Sequence, residues 1–394
     1  MRSYIEKFKA AIGSVWRRKH IKVWSETAFT LPSDQHSERI LFVANAFIPT
    51  LQLSFLKPLA PRIEQGTVVT DLLSEFQMKE KIDLRLTKSE IQSWIKQRIE
   101  DFKPTIMVFC RYSGPHGDYI TSLAEKLGIP TVFHVDDDLL NVPVEIGLKK
   151  HEFHNRPARL ETVRHLLEHV DVVYCSTAAL EQRFVSYGFQ STFKVGEIYC
   201  SGKVLAPAVN RPVKKIGYMG FDHAHDLEMV LPALIQVLRR NPEVEFELFG
   251  SIPKPTVLDE FGDRIHVIPP IPNYGEFLEK FATLNWDVGI CPLANTDFNA
   301  VKANTKWVEY TSVGTAVVAS GGTIYDACCS DGCGLLATNT KEWADAIEVF
   351  IHNSKNRSVQ VTKAQKRLSD DYSIERLEAQ VLEVLEVAHK KRAS

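Results

Sequence analysis

The run FNAVKANTKWVEYTSVGTAVVAS, residues 298–320, sets Lys302, Lys306 and Glu309 at spacings of four and three residues. On a helix such spacings bring side chains to one face. The residues around Asn304 and Thr305 read as a helix start and Gly314 as its C-cap. Strand-like residues precede (287–292) and follow (316–320). A helix start concentrates unpaired backbone N–H groups and about half a positive charge, which suits phosphate. Two lysines at that end would neutralise much of a diphosphate, and Glu309 could accept paired hydrogen bonds from vicinal hydroxyls such as those of a ribose. The competing reading is a solvated helix whose Lys306–Glu309 pair contributes roughly 0.2–0.5 kcal/mol.

Four other stretches carry groups of a suitable kind. In GYMGFDHAHD (217–226), Gly217 and Gly220 would let backbone approach a phosphate, with His223 and His225 beside it; a histidine-rich surface turn is the alternative. FHVDDDLLNVP (133–143) places His134 and three consecutive carboxylates at the end of an apolar strand. Adjacent carboxylates repel, so they need a cation, a helix N-terminus or protonation. Asp136 or Asp138 could orient acceptor hydroxyls; helix capping by Asp137 or Asp138 and a D-x-D metal site are the competing readings. CRYSGPHGDYI (110–120) carries Arg111 and His116 on a Gly-Pro turn, where Arg111 would pair with the aspartates or bind an acidic acceptor group. CCSDGC (Cys328, Cys329, Cys333) lacks the second ligand pair of a structural zinc site and reads as a turn on Asp331 and Gly332.

The elements that would position these groups follow from apolar periodicity. ILFVANAF (40–47), TIMVFC (105–110), TVFHV (131–135) and VVYCS (172–176) read as buried strands, with amphipathic helices over 118–128 and 157–170. The pattern restarts at KKIGYMG (214–220), then FELFGS, IHVIPP, DVGICPL and AVVAS, with helices between. Near-continuous apolar strands alternating with helices imply parallel sheets covered on both faces. The expected fold is therefore α/β, two doubly wound parallel-sheet (Rossmann-like) domains facing a cleft, in which ligands collect beyond the carboxyl ends of the strands. The expected boundaries are a basic amphipathic extension (1–36), an acceptor-side domain (37–205), a second domain (206–373) reached through a Pro-containing linker (201–214), and a last helix (374–394) returning to the first domain. Residues 1–22 hold seven Lys/Arg and one Glu; a helix packed on the domain and an interfacial membrane helix both fit.

The run from DVGICPL through VGTAVVAS resembles the donor-binding segment of family 4 (group 1) glycosyltransferases, and the likeness extends more loosely over ~38–390. In that family a glutamate before a glycine and a V-V-A strand holds the ribose of the donor nucleotide; Glu309, Gly314 and Val317–Ala319 match it. A second glutamate eight residues earlier is replaced here by Val301. The variant with Phe298, Asn299, Lys302 and Lys306 is similar to a subgroup among bacterial surface-polysaccharide transferases. The resemblance implies the GT-B fold and retention at the anomeric carbon. It implies His134, Lys302 and Lys306 as catalytic, and Gly217, Gly220, His223, His225, Asp297, Asn299, Asn304 and Glu309 as donor-binding. Arg111, Asp136 and Asp138 stand on the acceptor side. The function of the missing glutamate would pass to Asp297, Asn299 or Lys302.

With 47 Lys/Arg against 49 Asp/Glu, the chain gives no global argument for nucleic acid. No apolar run reaches the ~20 residues of a membrane span, and the basic start lacks a signal-peptide core. The expectation is a cytoplasmic, metal- and cofactor-independent transferase, with peripheral contact to the inner face of the membrane through residues 1–22 as an open alternative. Its partners would be a nucleotide-diphospho-sugar and a saccharide or lipid-linked saccharide. A nucleotide-sugar epimerase and a non-catalytic scaffold of the same fold are the alternatives.

Overall fold

The computed structural model describes residues 37–220, 224–271 and 273–394. The segment 1–22 and His223 therefore lie outside the described residues. The strands of the first sheet are β1 (Glu38–Ala44), β2 (Val68–Ser74), β3 (Ile106–Cys110), β4 (Thr131–Val135), β5 (Val172–Cys175) and β6 (Phe193–Val195). They run parallel in the order β2-β1-β3-β4-β5-β6. The second sheet holds β7 (Lys215–Gly220), β8 (Glu245–Gly250), β9 (Ile265–Ile268), β10 (Val288–Cys291), β11 (Ala316–Ser320) and β12 (Leu335–Ala337), in the order β12-β11-β10-β7-β8-β9. Counted from β7, that is the dinucleotide-binding order 3-2-1-4-5-6.

Every residue of β3, β4, β5, β10 and β11 is buried, as expected of strands covered on both faces. The covering helices present apolar stripes. Lys88–Phe102 buries Ile91, Ile95, Ile99 and Phe102, and its start is fixed by a capping box of Thr87 and Glu90. Ala224–Arg240 buries Leu227, Val230, Leu231, Leu234, Val237 and Leu238 against the second sheet.

In such sheets the crevice opens where the strand order reverses. The reversal falls between β1 and β3 in the first sheet and between β7 and β10 in the second. The carboxyl ends of β4 and β5 face the segment that follows β10. Thr177 donates to the Val301 carbonyl at 2.7 Å, Arg183 to the Asp297 carbonyl at 3.1 Å, and Lys302 to Asp137 at 2.9 Å.

Beyond β1 the chain forms one helical path, Pro49–Leu51, a π-helical segment Gln52–Leu56 and Lys57–Glu64. Residues 201–214 join the sheets without helix or strand. The helix Ser354–Asp371 packs on the second half, and after a break at Tyr372, Ile374–Ala393 lays Leu377, Val381, Leu385 and Ala388 on the first sheet.

Gly217 corrects one expectation. It lies inside β7, not on the loop, and a Cβ there would come within 2.0 Å of the Trp286 ring. It therefore makes room for an indole whose Nε1 donates to Glu247 at 2.6 Å. Gly217→Ala is expected to lower unfolding free energy by about 1–3 kcal/mol through overpacking, read by chemical denaturation, without a specific loss of ligand affinity.

Candidate functional site

The helix Thr305–Ser312 starts at the mouth of the second sheet, after β10 and a 3-10 turn Asn299–Val301. A cleft of about 180 Å³ lies in front of it. One wall is Lys302, Ala303, Thr305 and Lys306; the other, from the first half, is Asp136, Asp137 and Tyr199.

The basic wall has two differently held lysines. Lys302 Nζ donates to Asp137 Oδ1 at 2.9 Å and stands 4.6 Å from the Phe298 ring. Lys306 Nζ lies 5.1 Å from the Tyr218 ring centroid, and among the described residues no carboxylate lies within ion-pair distance of it. Burial pulls its pKa below the ordinary lysine value, opposed by Asp226. One turn deeper, Glu309 is 7 % exposed, and burial raises its carboxyl to about 7 despite the Tyr274 hydroxyl, Lys306 and Lys57. Lys57, from the first half, donates to the Ser201 carbonyl at 2.9 Å and stands 5.9 Å from the Tyr274 ring of the second half.

The acidic wall is already balanced. Asp136 Oδ2 accepts from Thr50 at 3.0 Å and Tyr199 at 2.7 Å, while Arg111 stands 2.6 Å from its Oδ1 and 2.9 Å from Asp137 Oδ2. Burial alone would raise the Asp137 carboxyl, but Lys302 and Arg111 hold it well below the usual carboxylate range. Arg111 thus pairs with the aspartates and is not a free receptor for an acidic acceptor. Arg111→Met would leave buried carboxylates uncompensated, and a loss of about 3 kcal/mol at pH 7 is expected in denaturant unfolding. Because Asp137 titrates below its unfolded value, its contribution is present above the ordinary carboxylate range and is lost as pH falls through the folded value. The mutational penalty should shrink in acid accordingly.

Several expected site residues are placed elsewhere. His134 is 1 % exposed; its Nδ1 is 3.1 Å from the Tyr174 carbonyl and its Nε2 3.2 Å from Ser54 Oγ. Burial lowers its pKa to about 4, so it is a neutral ring beneath the cleft with both nitrogens engaged, and it does not line the cleft. Asp138 accepts from Tyr187 at 2.6 Å and from the Leu140 amide at 3.1 Å, with its side chain fully buried, so it faces no acceptor and caps a turn. The chain leaves β4 at Val135, so strand alternation no longer sorts Asp136 to Asp138, and Asp137 is the neighbour that joins Asp136 on the cleft.

The side chain of Asp297 is 89 % exposed beside Arg183, away from the cleft wall. Asn299 is 1 % exposed and donates to the Ala294 carbonyl and toward Asp226, bracing the loop from beneath. Asn304 donates to the Tyr372 hydroxyl at 2.7 Å, not to the cleft. His225 Nε2 stands 3.2 Å from Asp226 Oδ1. Gly220 ends β7 as expected, and its carbonyl accepts from the Ser251 amide. Arg111, Asp136, Lys302 and Lys306 are brought together, with Glu309 one turn behind. Tyr199, Lys57, Thr50 and Tyr274 were not singled out in the sequence: each lies in an unremarkable local run, and its reach depends on packing between distant segments.

No family model matches the chain, and no curated protein sequence matches it. Among solved structures, Anabaena Alr3699/HepE in complex with UDP and glucose superposes with a TM-score of 0.61 at 14% identity, covering 89% of this chain and 99% of that one. Sucrose-phosphate synthase from Thermosynechococcus elongatus gives 0.60 at 12% identity over 88% and 98%. A UDP-forming trehalose-phosphate synthase from Burkholderia xenovorans gives 0.59 at 13% over 89% and 99%. With two parallel six-stranded sheets opening on one cleft, the chain has the GT-B fold.

Proposed function

We propose that this chain is a retaining, metal-independent glycosyltransferase that moves a sugar from a nucleotide-diphospho-sugar to a saccharide or lipid-linked saccharide. The observation that carries the reading is the cleft itself. A half-buried lysine without a carboxylate partner among the described residues, a second lysine and a helix start converge at the strand-order reversal, with Glu309 one turn behind. That HepE was solved with UDP and with UDP-glucose supports the same class of donor here.

In this reading the diphosphate lies on Lys302, Lys306 and the N–H groups of Thr305–Ser312, and the ribose hydroxyls donate to Glu309. The bond from the anomeric carbon to the phosphate oxygen breaks, and the acceptor oxygen forms its bond on the same face. The acceptor proton passes to the departing phosphate. The chain contributes placed positive charge and excluded water rather than a nucleophile. Arg111, Lys302 and Tyr199 already engage Asp136 and Asp137, which favours a lysine-based over a D-x-D site. The acceptor class and a role in bacterial surface polysaccharide synthesis rest on the resemblance of the 298–320 run. Cytoplasmic location fits a chain whose described residues include no helix long and apolar enough to cross a membrane, and residues 1–22 would supply contact with the inner membrane face.

The thermal midpoint with UDP, GDP or dTDP, each with magnesium or EDTA, tests this. Saturation at a hundred times Kd adds about 2.7 kcal/mol, a rise on the order of 5 °C. A rise with one nucleotide, unchanged by EDTA, is expected; dependence on magnesium or no rise would overturn the reading. Product formed without acceptor would indicate the epimerase.

A further inference from the structure

A nucleotide-sugar whose diphosphate rests on Lys302 and Lys306 must place its hexose beside them, toward the first half. Hexose hydroxyls donate, and a carboxylate is the strongest acceptor a protein offers them. Among the described residues the second half supplies none at this point. Val301 is 1 % exposed, packed in the core of the first half, with its carbonyl taken by Thr177. Asp297 stands in solvent, Asn299 is braced beneath the loop, and Lys302 already donates to Asp137.

The first half does supply one. Of the two carboxylates on the cleft, Asp136 has its Oδ2 taken by Thr50 and Tyr199, and its Oδ1, beside Arg111, is buried out of reach of a ligand. Asp137 has one cation on each oxygen, Lys302 at 2.9 Å and Arg111 at 2.9 Å, and its side chain is 16 % exposed on the cleft. Each carboxylate oxygen accepts two hydrogen bonds, so each retains one acceptor position. We propose that Asp137 is the specificity-determining carboxylate that accepts hydroxyls of the donor hexose across the cleft. This rests on the donor site proposed above and names the group that reads its sugar. Nucleotide alone engages the second half, whereas nucleotide-sugar bridges both.

The charges give the variants opposite signs. Asp137 binds hydroxyls but also neutralises Lys302. Asp137→Asn and Asp137→Ala should leave nucleoside diphosphate binding equal or tighter, and should lose about ten-fold or more of the additional affinity conferred by the sugar. Lys302→Gln should weaken diphosphate and sugar nucleotide together and keep their ratio. The experiment is isothermal titration of the full chain and these three variants with UDP and UDP-glucose, dTDP and dTDP-glucose, and GDP and GDP-mannose, each variant first checked by its melting curve. A selective loss of the sugar increment supports the proposal. An unchanged ratio, with both ligands tightening, would mean that Asp137 only screens the lysines, and both weakening would mean that it only holds Lys302; either overturns it. Wild-type protein that binds no probe overturns the donor reading and this inference with it, and is told apart by needing no variant. If Asp137→Ala melts before it can be titrated, Asp137→Glu, which keeps the charge and moves the oxygens, should retain diphosphate binding and lose the sugar increment.

Discussion

Lys306→Met is expected to lower nucleoside diphosphate affinity by about 10- to 100-fold, from the roughly 1.5–3 kcal/mol of a hydrogen bond to a charged partner. The same change should raise the melting temperature of the empty protein. The two effects share a cause. Lys306 holds its ammonium against the Tyr218 ring face with no carboxylate in ion-pair range among the described residues, and burial depresses its pKa. A cation held in that way costs the folded state stability until an anion arrives. Because its folded pKa lies below the unfolded one, wild-type stability rises with pH as the lysine deprotonates, and Met removes that slope. If the diphosphate departs from this lysine, kcat should fall by about 10²–10³, the range for removal of one preorganised charge-stabilising donor. Calorimetry, melting curves and steady-state rates on one preparation check all three. Reduced stability together with retained binding would place Lys306 in packing instead.

Glu309→Gln should likewise stabilise the empty protein while weakening nucleotide binding, and here pH separates the effects. Burial raises the Glu309 carboxyl to about 7, so the folded state binds a proton that the unfolded state releases above the ordinary carboxylate range. Stability contributed by this group is therefore highest in acid and declines as pH rises toward 7. At pH 8 the carboxylate is charged and buried, and Gln should raise the melting temperature; at pH 5 the two proteins should melt alike. Ribose hydroxyls favour the ionised form, so binding should release a proton between about pH 5 and 7. Titration in buffers of different ionisation enthalpy measures that release directly, and Glu309→Gln should abolish it.

The central strands are legible because burial on both faces leaves nothing but apolar residues in IMVFC, TVFHV and AVVAS. The sequence reading passes over β2, β6 and β12, and the reason is physical. β6 and β12 are three-residue edges, and β2 is an edge whose run is interrupted by Thr70 and Asp71. Lys302, Lys306 and Glu309 are legible as a group because helix periodicity is a local property. The exchange of Asp138 for Asp137 was hidden by a bend one residue past β4, and the misreading of Gly217 by Trp286, which fills its place from far along the chain. Contacts of that range have no local signature.

The break at Tyr372 has a mechanical consequence. The chain passes between the halves twice, through residues 201–214 and again at Tyr372. The two passages are tied together, since the Gly202 amide donates to the Tyr372 carbonyl at 2.9 Å. A body joined at two adjacent pins swings about the line through them and resists sliding and twisting, so opening becomes a single rotation. Tyr372 packs against the cores of both halves and accepts a hydrogen bond from Asn304 at the start of the helix Thr305–Ser312. The pin and the charged end of the cleft are thus one side chain apart, so any rotation that parted Lys302 from Asp137 would bear on the same residue that holds that helix in place.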